Sequence, residues 1–163
     1  MKTMSNFRPM QRIKQQVPHD ECINILTTAK RGVLSVISDN GYPYAVPVNF
    51  FYDTNDGHIF IHGAKEGHKI DAIRKSPKVC FTVWNDGEKK DGDWAYYVTS
   101  VVVFGTAELI ADEQLTARQT RNIGLKYYPT TAEVDAVMQR SIARVQLIAV
   151  SIDQMTGKLV HEK

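Results

Sequence analysis

Two turn signals govern what residues 32–62 can become. Asp39-Asn40-Gly41 and Thr54-Asn55-Asp56-Gly57 are built from residues that tolerate positive φ. They separate three runs, GVLSVIS, YPYAVPVNFFYD and HIFIHG, which read as strands from their β-branched and apolar content. Two hairpin turns between three strands predict an antiparallel meander. Pro43 and Pro47 lack a backbone N–H, so the second strand cannot be central and paired on both sides throughout.

The period changes on either side of this region. DECINILTTAK, after Pro18, reads as a helix with acidic residues in its first turn and Cys22, Ile23 and Leu26 as its apolar stripe. GHKIDAIRK reads as a short helix that turns Ile70 and Ile73 inward and ends at Ser76-Pro77. KVCFTVWN is a fourth strand, and DGEKKDGD a polar loop. YYVTSVVVFGTAELI is a long fifth strand, with Gly105 marking a bulge. DEQLTARQTRNIGLKYY, weakened at Gly124, and TAEVDAVMQR give two helices around Pro129; ARVQLIAVSID closes as a sixth strand. The expected fold is one domain over residues 1–163: a six-stranded antiparallel barrel decorated by short helices, with residues 1–18 an extended lead-in. An open α+β sandwich is the alternative.

Charge and hydropathy narrow the function. With 20 Lys+Arg against 18 Asp+Glu the net charge is +2, too even for a nucleic-acid binder held by charge. No apolar run reaches the roughly 20 residues of a membrane span. The basic N-terminus has no apolar stretch behind it and is not read as a secretory signal. Cys22 and Cys80 form no C-x-x-C, so the expectation is a reduced, cytoplasmic protein.

Two segments carry chemistry. His62-Gly63-Ala64-Lys65-Glu66-Gly67-His68-Lys69 lies where a strand gives way to a helix. Glycines allow close backbone approach, and a helix start offers free N–H groups and a positive dipole end. Lys65, His68 and Lys69 add cations, which makes a phosphate cradle one reading and a plain turn the other. The segment is neither a Walker A loop nor G-x-G-x-x-G. In Tyr42-Pro43-Tyr44-Ala45-Val46-Pro47-Val48-Asn49, the missing N–H of Pro47 frees a strand position for a ligand. Val46, Pro47 and Val48 would form an apolar surface for a flat ring, with Asn49 as donor and acceptor. An edge strand with a bulge is the plainer reading.

H-G-A-x-x-G-H-K and Y-P-x-x-V-P-x-N, in this order, resemble the pyridoxamine 5′-phosphate oxidase-like FMN-binding split barrels, most of all the nitroimidazole-resistance (NimA-like) branch. The resemblance spans about residues 8–160 and extends to SVVVFGTAELI and SIDQMTGKLVHEK, where Thr156-Gly157-Lys158 would form a turn. It implies a homodimer with FMN at the subunit interface and electron transfer to a small organic acceptor. By the same resemblance the phosphate is held by His62, Gly63, Ala64, Gly67, His68 and Lys69. The isoalloxazine lies along Val46, Pro47, Val48 and Asn49, with Trp84, Ser100 and Val101 completing the wall, and His62 is the catalytic candidate. The ending MTGKLVHEK lacks the arginine-rich substrate segment of the namesake oxidase, so pyridoxamine phosphate oxidation is not expected. Alternatives are a non-enzymatic flavin or haem binder, with His62 or His68 as the axial candidate, and a deazaflavin enzyme.

Other constellations point to structure. His58 and His62 stand about 13 Å apart along a strand and cannot share an ion at about 2 Å, so no metal site is expected. Cys22 and Cys80 read as packed, inert thiols, and no serine sits in G-x-S-x-G. Trp84, Trp94, Tyr96 and Tyr97 flank the polar loop and suit a ring cap, a barrel end or an interface. Lys126-Tyr127-Tyr128-Pro129 reads as a packing corner.

Overall fold

The computed structural model describes residues 6–161. Its strands are β1 (Gly32–Ile37), β2 (Pro43–Val48), β3 (Phe50–Asp53), β4 (His58–Ala64), β5 (Lys78–Trp84), β6 (Glu88–Lys89), β7 (Tyr96–Ile110) and β8 (Val145–His161). Its helices are α1 (His19–Thr28), α2 (His68–Lys75), α3 (Glu113–Tyr127) and α4 (Thr131–Ser141). The strands form one antiparallel sheet in the order β2-β1-β5-β7-β8-β4-β3, with β6 added to β7.

The two end strands of that sheet, β2 and β3, are separated in the chain by Asn49 alone. Two Cα steps of about 3.8 Å each therefore join opposite ends of the sheet, and the sheet has to curl until they meet. Among the described residues no ladder pairs β2 with β3, so the barrel is closed by the chain and split in its hydrogen bonding. This corrects the expected six strands to eight. YPYAVPVNFFYD is two strands, and part of the polar loop, Glu88–Lys89, pairs with Tyr97 and Tyr96. It also replaces the meander with two hairpins at opposite ends of the sheet. β2 is an edge strand, as its prolines require.

Leu34, Phe50, Ile59, Ile61, Phe81, Val101 and Ile148 fill the barrel, and Leu26 of α1 with Ile70 and Ile73 of α2 belong to the same core. A smaller cluster of Phe60, Ile123, Leu147 and Ala149 seats α3 against the opposite face of β4 and β8. The register of β7 with β8 shifts at Gly105, as a bulge there predicts. Thr156-Gly157-Lys158 is not a turn: it continues β8 against Val102, Val101 and Ser100. The glycine answers a tertiary demand, since a Cβ at 157 would stand 2.5 Å from both Cys22 Sγ and Val17 Cγ2. The expected lead-in is only partly extended: Ile13–Gln15 form a 3-10 turn, and Gln16 bridges Lys158. Residues 1–5 of it lie outside the described residues.

At the split, the end of α3 serves the backbone of the buried Phe50. Tyr127 Oη accepts the Phe50 N–H at 3.1 Å and donates to the Lys30 carbonyl. Lys126 Nζ donates to the Phe50 carbonyl at 3.2 Å and lies 3.8 Å from the centre of its ring. Burial outweighs these contacts and lowers the Lys126 pKa from 10.5 to about 8. The unfolded chain thus holds more protons here between pH 8 and 10.5. The penalty is full below about pH 8 and is relieved as pH rises toward 10.5. Tyr127→Phe strands the Phe50 N–H and the Lys30 carbonyl, and is expected to cost about 1–3 kcal/mol in urea unfolding. An unchanged midpoint and slope would show that water replaces the hydroxyl.

Candidate functional site

The strand-to-helix segment folds into a cradle around Gly63. Lys69, in the first turn of α2, turns its ammonium back over β4. A Cβ at residue 63 would lie 3.0 Å from Lys69 Nζ and 3.1 Å from its Cε. A side chain there would push the end of Lys69 away by a few tenths of an ångström. Gly67 precedes α2 with φ of 130°, a conformation side chains rarely adopt. No side chain caps α2, whereas Asp112 caps α3 and Thr130 caps α4. The Gly67 carbonyl takes the N–H groups of Ile70 and Asp71. Those of His68 and Lys69 have no protein acceptor among the described residues, and with the Lys69 charge they suit an anion.

His62 and Asn49 meet at this cradle. β3 pairs with β4 from Phe50↔Ile61 onward, and one more step of that register sets Asn49 opposite His62. Both are exposed, on the side of the sheet away from Ile61 and Phe50. The His62 side chain is exposed at the sheet surface. Lost hydration, followed by the nearby Lys69 charge, lowers its pKa below the ordinary value. The shift favours the neutral imidazole, which can both donate and accept. Because the unfolded chain binds this proton more readily, the His62 term costs stability as pH falls through the ordinary value of 6.5 toward the folded one. Lys69→Ala is expected to raise the His62 midpoint in an NMR titration; an unmoved midpoint would place the ammonium elsewhere in solution.

The remaining expected residues separate. Val46 and Val48 pack against the core while Pro47 faces out, so the period-2 alternation divides the continuous apolar surface expected of the three. Gly63 and Ala64 pair with Gln146 and Val145 of β8. Trp84 is exposed and pairs with Ser100, but these lie two and three strands from β2, on the order of 10 Å or more from Pro47. Val101 is completely buried inside the barrel, which corrects its expected place on a cofactor wall. His68 is already engaged. Its Nε2 lies 2.8 Å from Ser38 Oγ and its ring stacks on Tyr44 at 4.1 Å between centroids. Ser38 and Tyr44 thus position the start of α2. Sequence reasoning missed both, because nothing local in a serine and a tyrosine 30 and 24 residues upstream marks them as partners of His68. The aromatic residues beyond β5 do not form one cap: Trp94 is exposed, and Tyr97 stacks on His161.

A sequence model of the family described as pyridoxamine 5′-phosphate oxidase matches residues 18–159, from the start of α1 nearly to the end of β8. The chain belongs to this family. The solved structures it resembles agree in fold. A candidate 5-nitroimidazole antibiotic resistance protein from Bacteroides thetaiotaomicron superposes with a TM-score of 0.75 at 23% identity, over 90% of this chain and 87% of that one. A flavocytochrome from Azotobacter vinelandii gives 0.76 at 22% identity, over 94% and 72%. An FAD-binding protein from Mesorhizobium loti gives 0.63 at 23%, over 89% and 96%. No curated protein matches the chain in sequence.

Proposed function

We propose that this chain is a flavin-dependent oxidoreductase that binds FMN and passes two electrons to a small organic acceptor, nitroimidazoles among the candidates. The carrying observation is the Lys69 ammonium over the vacant Cβ position of Gly63, next to an uncapped helix start. Membership of the pyridoxamine 5′-phosphate oxidase family and the flavin-binding solved structures support the same reading. Lys69 with the N–H groups of His68 and Lys69 would hold the phosphate. Asn49 and the exposed edge at Pro47 would orient the ring, and His62 would hold or deliver a proton at its imidazole beside the acceptor. The redox chemistry is supplied by the flavin when bound.

A homodimer belongs to the proposal. Val33, Pro47, Trp84, Val102 and Phe104 share the outward side of β2, β1, β5 and β7, and an apolar sheet face of this kind suits a second subunit. So does a cytoplasmic location, the reading of two cysteines that form no C-x-x-C. A haem reading is less well served. His68 Nε2 is committed to Ser38, and His62 stands beside a lysine rather than in an apolar cavity. The test is turnover: flavin-loaded protein is expected to consume a reductant when a nitroimidazole is added, and His62→Ala to slow it at equal flavin content. Loaded protein without turnover would make the chain a flavin-binding protein instead.

A further inference from the structure

Two cations at the split take no part in the cradle. β1 pairs with β2 from Gly32↔Val48 onward, and one more step of that register sets Arg31 opposite Asn49. His62 stands opposite the same residue on its other side, by one more step of the β3–β4 register. A Cβ at Gly32 would meet the Phe81 ring inside the barrel, so Arg31, one residue earlier, faces out. Arg31, Asn49 and His62 are all exposed. A guanidinium, an amide and an imidazole therefore lie side by side on the outer surface, each about 5 Å, one strand spacing, from the next.

The end of α3 brings the second cation. Lys126 Nζ and Tyr127 Oη both donate to the Phe50 carbonyl, at 3.2 and 3.3 Å, one residue from Asn49. Tyr127 also donates to the carbonyl of Lys30, the residue before Arg31. Burial raises the Tyr127 pKa, and the bond to Phe50 and the Arg31 charge oppose that rise, so the guanidinium is within electrostatic reach of the phenol. Neither Arg31 nor Lys126 forms an ion pair among the described residues. Lys30 differs, since it lines a small cavity together with Asp86. A half-buried ammonium and a guanidinium without acids of their own suit an anionic ligand, and the planar fork of arginine suits a carboxylate.

We infer that Arg31, with Lys126 behind it, binds a carboxylate of the electron acceptor beside Asn49, so that the chain selects small organic acids over neutral acceptors of the same size. The inference rests on the proposed flavin-dependent function and names its substrate class. The carboxylate end is held at Arg31, and the reducible group reaches toward Asn49 and His62. A nitro group there takes up two electrons and two protons, both supplied by the reduced flavin, and leaves as a nitroso group with one water.

The test uses flavin-loaded protein, reduced photochemically and mixed without oxygen with 4-nitrobenzoate or with the neutral 4-nitrobenzyl alcohol. Return of the flavin absorbance gives a rate for each. The ratio of the two rates, divided by the ratio for free reduced FMN, is expected to be about tenfold or more in favour of the acid, as one charge-assisted contact allows. Arg31→Ala is expected to bring it close to one, Arg31→Lys to leave it between, and Lys126→Met to lower it in part. Calorimetry of the loaded parent protein should show benzoate binding where benzyl alcohol does not, a readout independent of turnover and of how well the variants fold. A ratio near one in the parent protein would overturn the inference and leave the flavin function standing. So would a ratio that Arg31→Ala does not move. Loaded, reduced protein that neither acceptor reoxidises would remove the proposed function and this inference with it.

Discussion

Lys69→Ala is expected to weaken FMN binding by about ten- to a hundredfold, because a charge-assisted contact to a phosphate contributes roughly 1.5–3 kcal/mol. The residue is singled out by position. Its ammonium lies 3.0 Å from where a Cβ of residue 63 would stand, while Lys65, in the loop before α2, lines a neighbouring cavity. Lys69→Arg should keep the charge but fit the space over Gly63 less well, and should fall between the two. The folded structure should survive, since Lys69 is half-buried and makes no hydrogen bond within the protein that its loss would strand. An unchanged thermal midpoint with weakened FMN binding is therefore the expected pair of results. FMN affinity equal to that of the parent protein would take Lys69 out of the site.

The largest stability effect is expected at Phe50. It is fully buried, meets Phe81 edge-to-face with centroids 4.9 Å apart, and carries the Lys126 ammonium over its ring. It is also the first residue after the break at Asn49, so its packing holds the end of β3 where the barrel closes. Phe50→Ala is expected to cost about 3–5 kcal/mol, a large part of the 5–15 kcal/mol typical of a domain. Phe50→Leu keeps most of the volume and should cost distinctly less. Urea unfolding of the three proteins gives the comparison; an alanine variant within about 1 kcal/mol of the parent would mean that the split is not held by this side chain.

The same stretch shows what could and could not be read from the chain. Asp39-Asn40-Gly41 and Thr54-Asn55-Asp56-Gly57 mark their hairpins, and Ile70 and Ile73 turn inward as their spacing requires. The break at Asn49 left no trace in the pattern. Val46, Val48, Phe50 and Tyr52 alternate without interruption and all reach the core. What changes at Asn49 is the partner, from β1 on one side to β4 on the other, and a period of two carries no information about partners. The turn that the resemblance implies at Thr156-Gly157-Lys158 is a continuous strand instead, and the glycine there answers the approach of Cys22 and Val17, more than a hundred residues away in sequence. At the site, the composition of the segment from His62 to Lys69 marks a strand-to-helix junction rich in glycine and cations, which is where β4 ends and α2 begins. It could not tell that His68 would be occupied by Ser38 and Tyr44, or that Val101 would face inward.

Flavin binding is the claim on which the rest depends, and the visible absorption spectrum of the purified protein, with mass identification of whatever denaturation releases, tests it most directly. Bands at about 375 and 450 nm are expected, with FMN released, or the same bands acquired by colourless protein on adding flavin. A Soret band, or a colourless protein that takes up no added flavin, would contradict the claim.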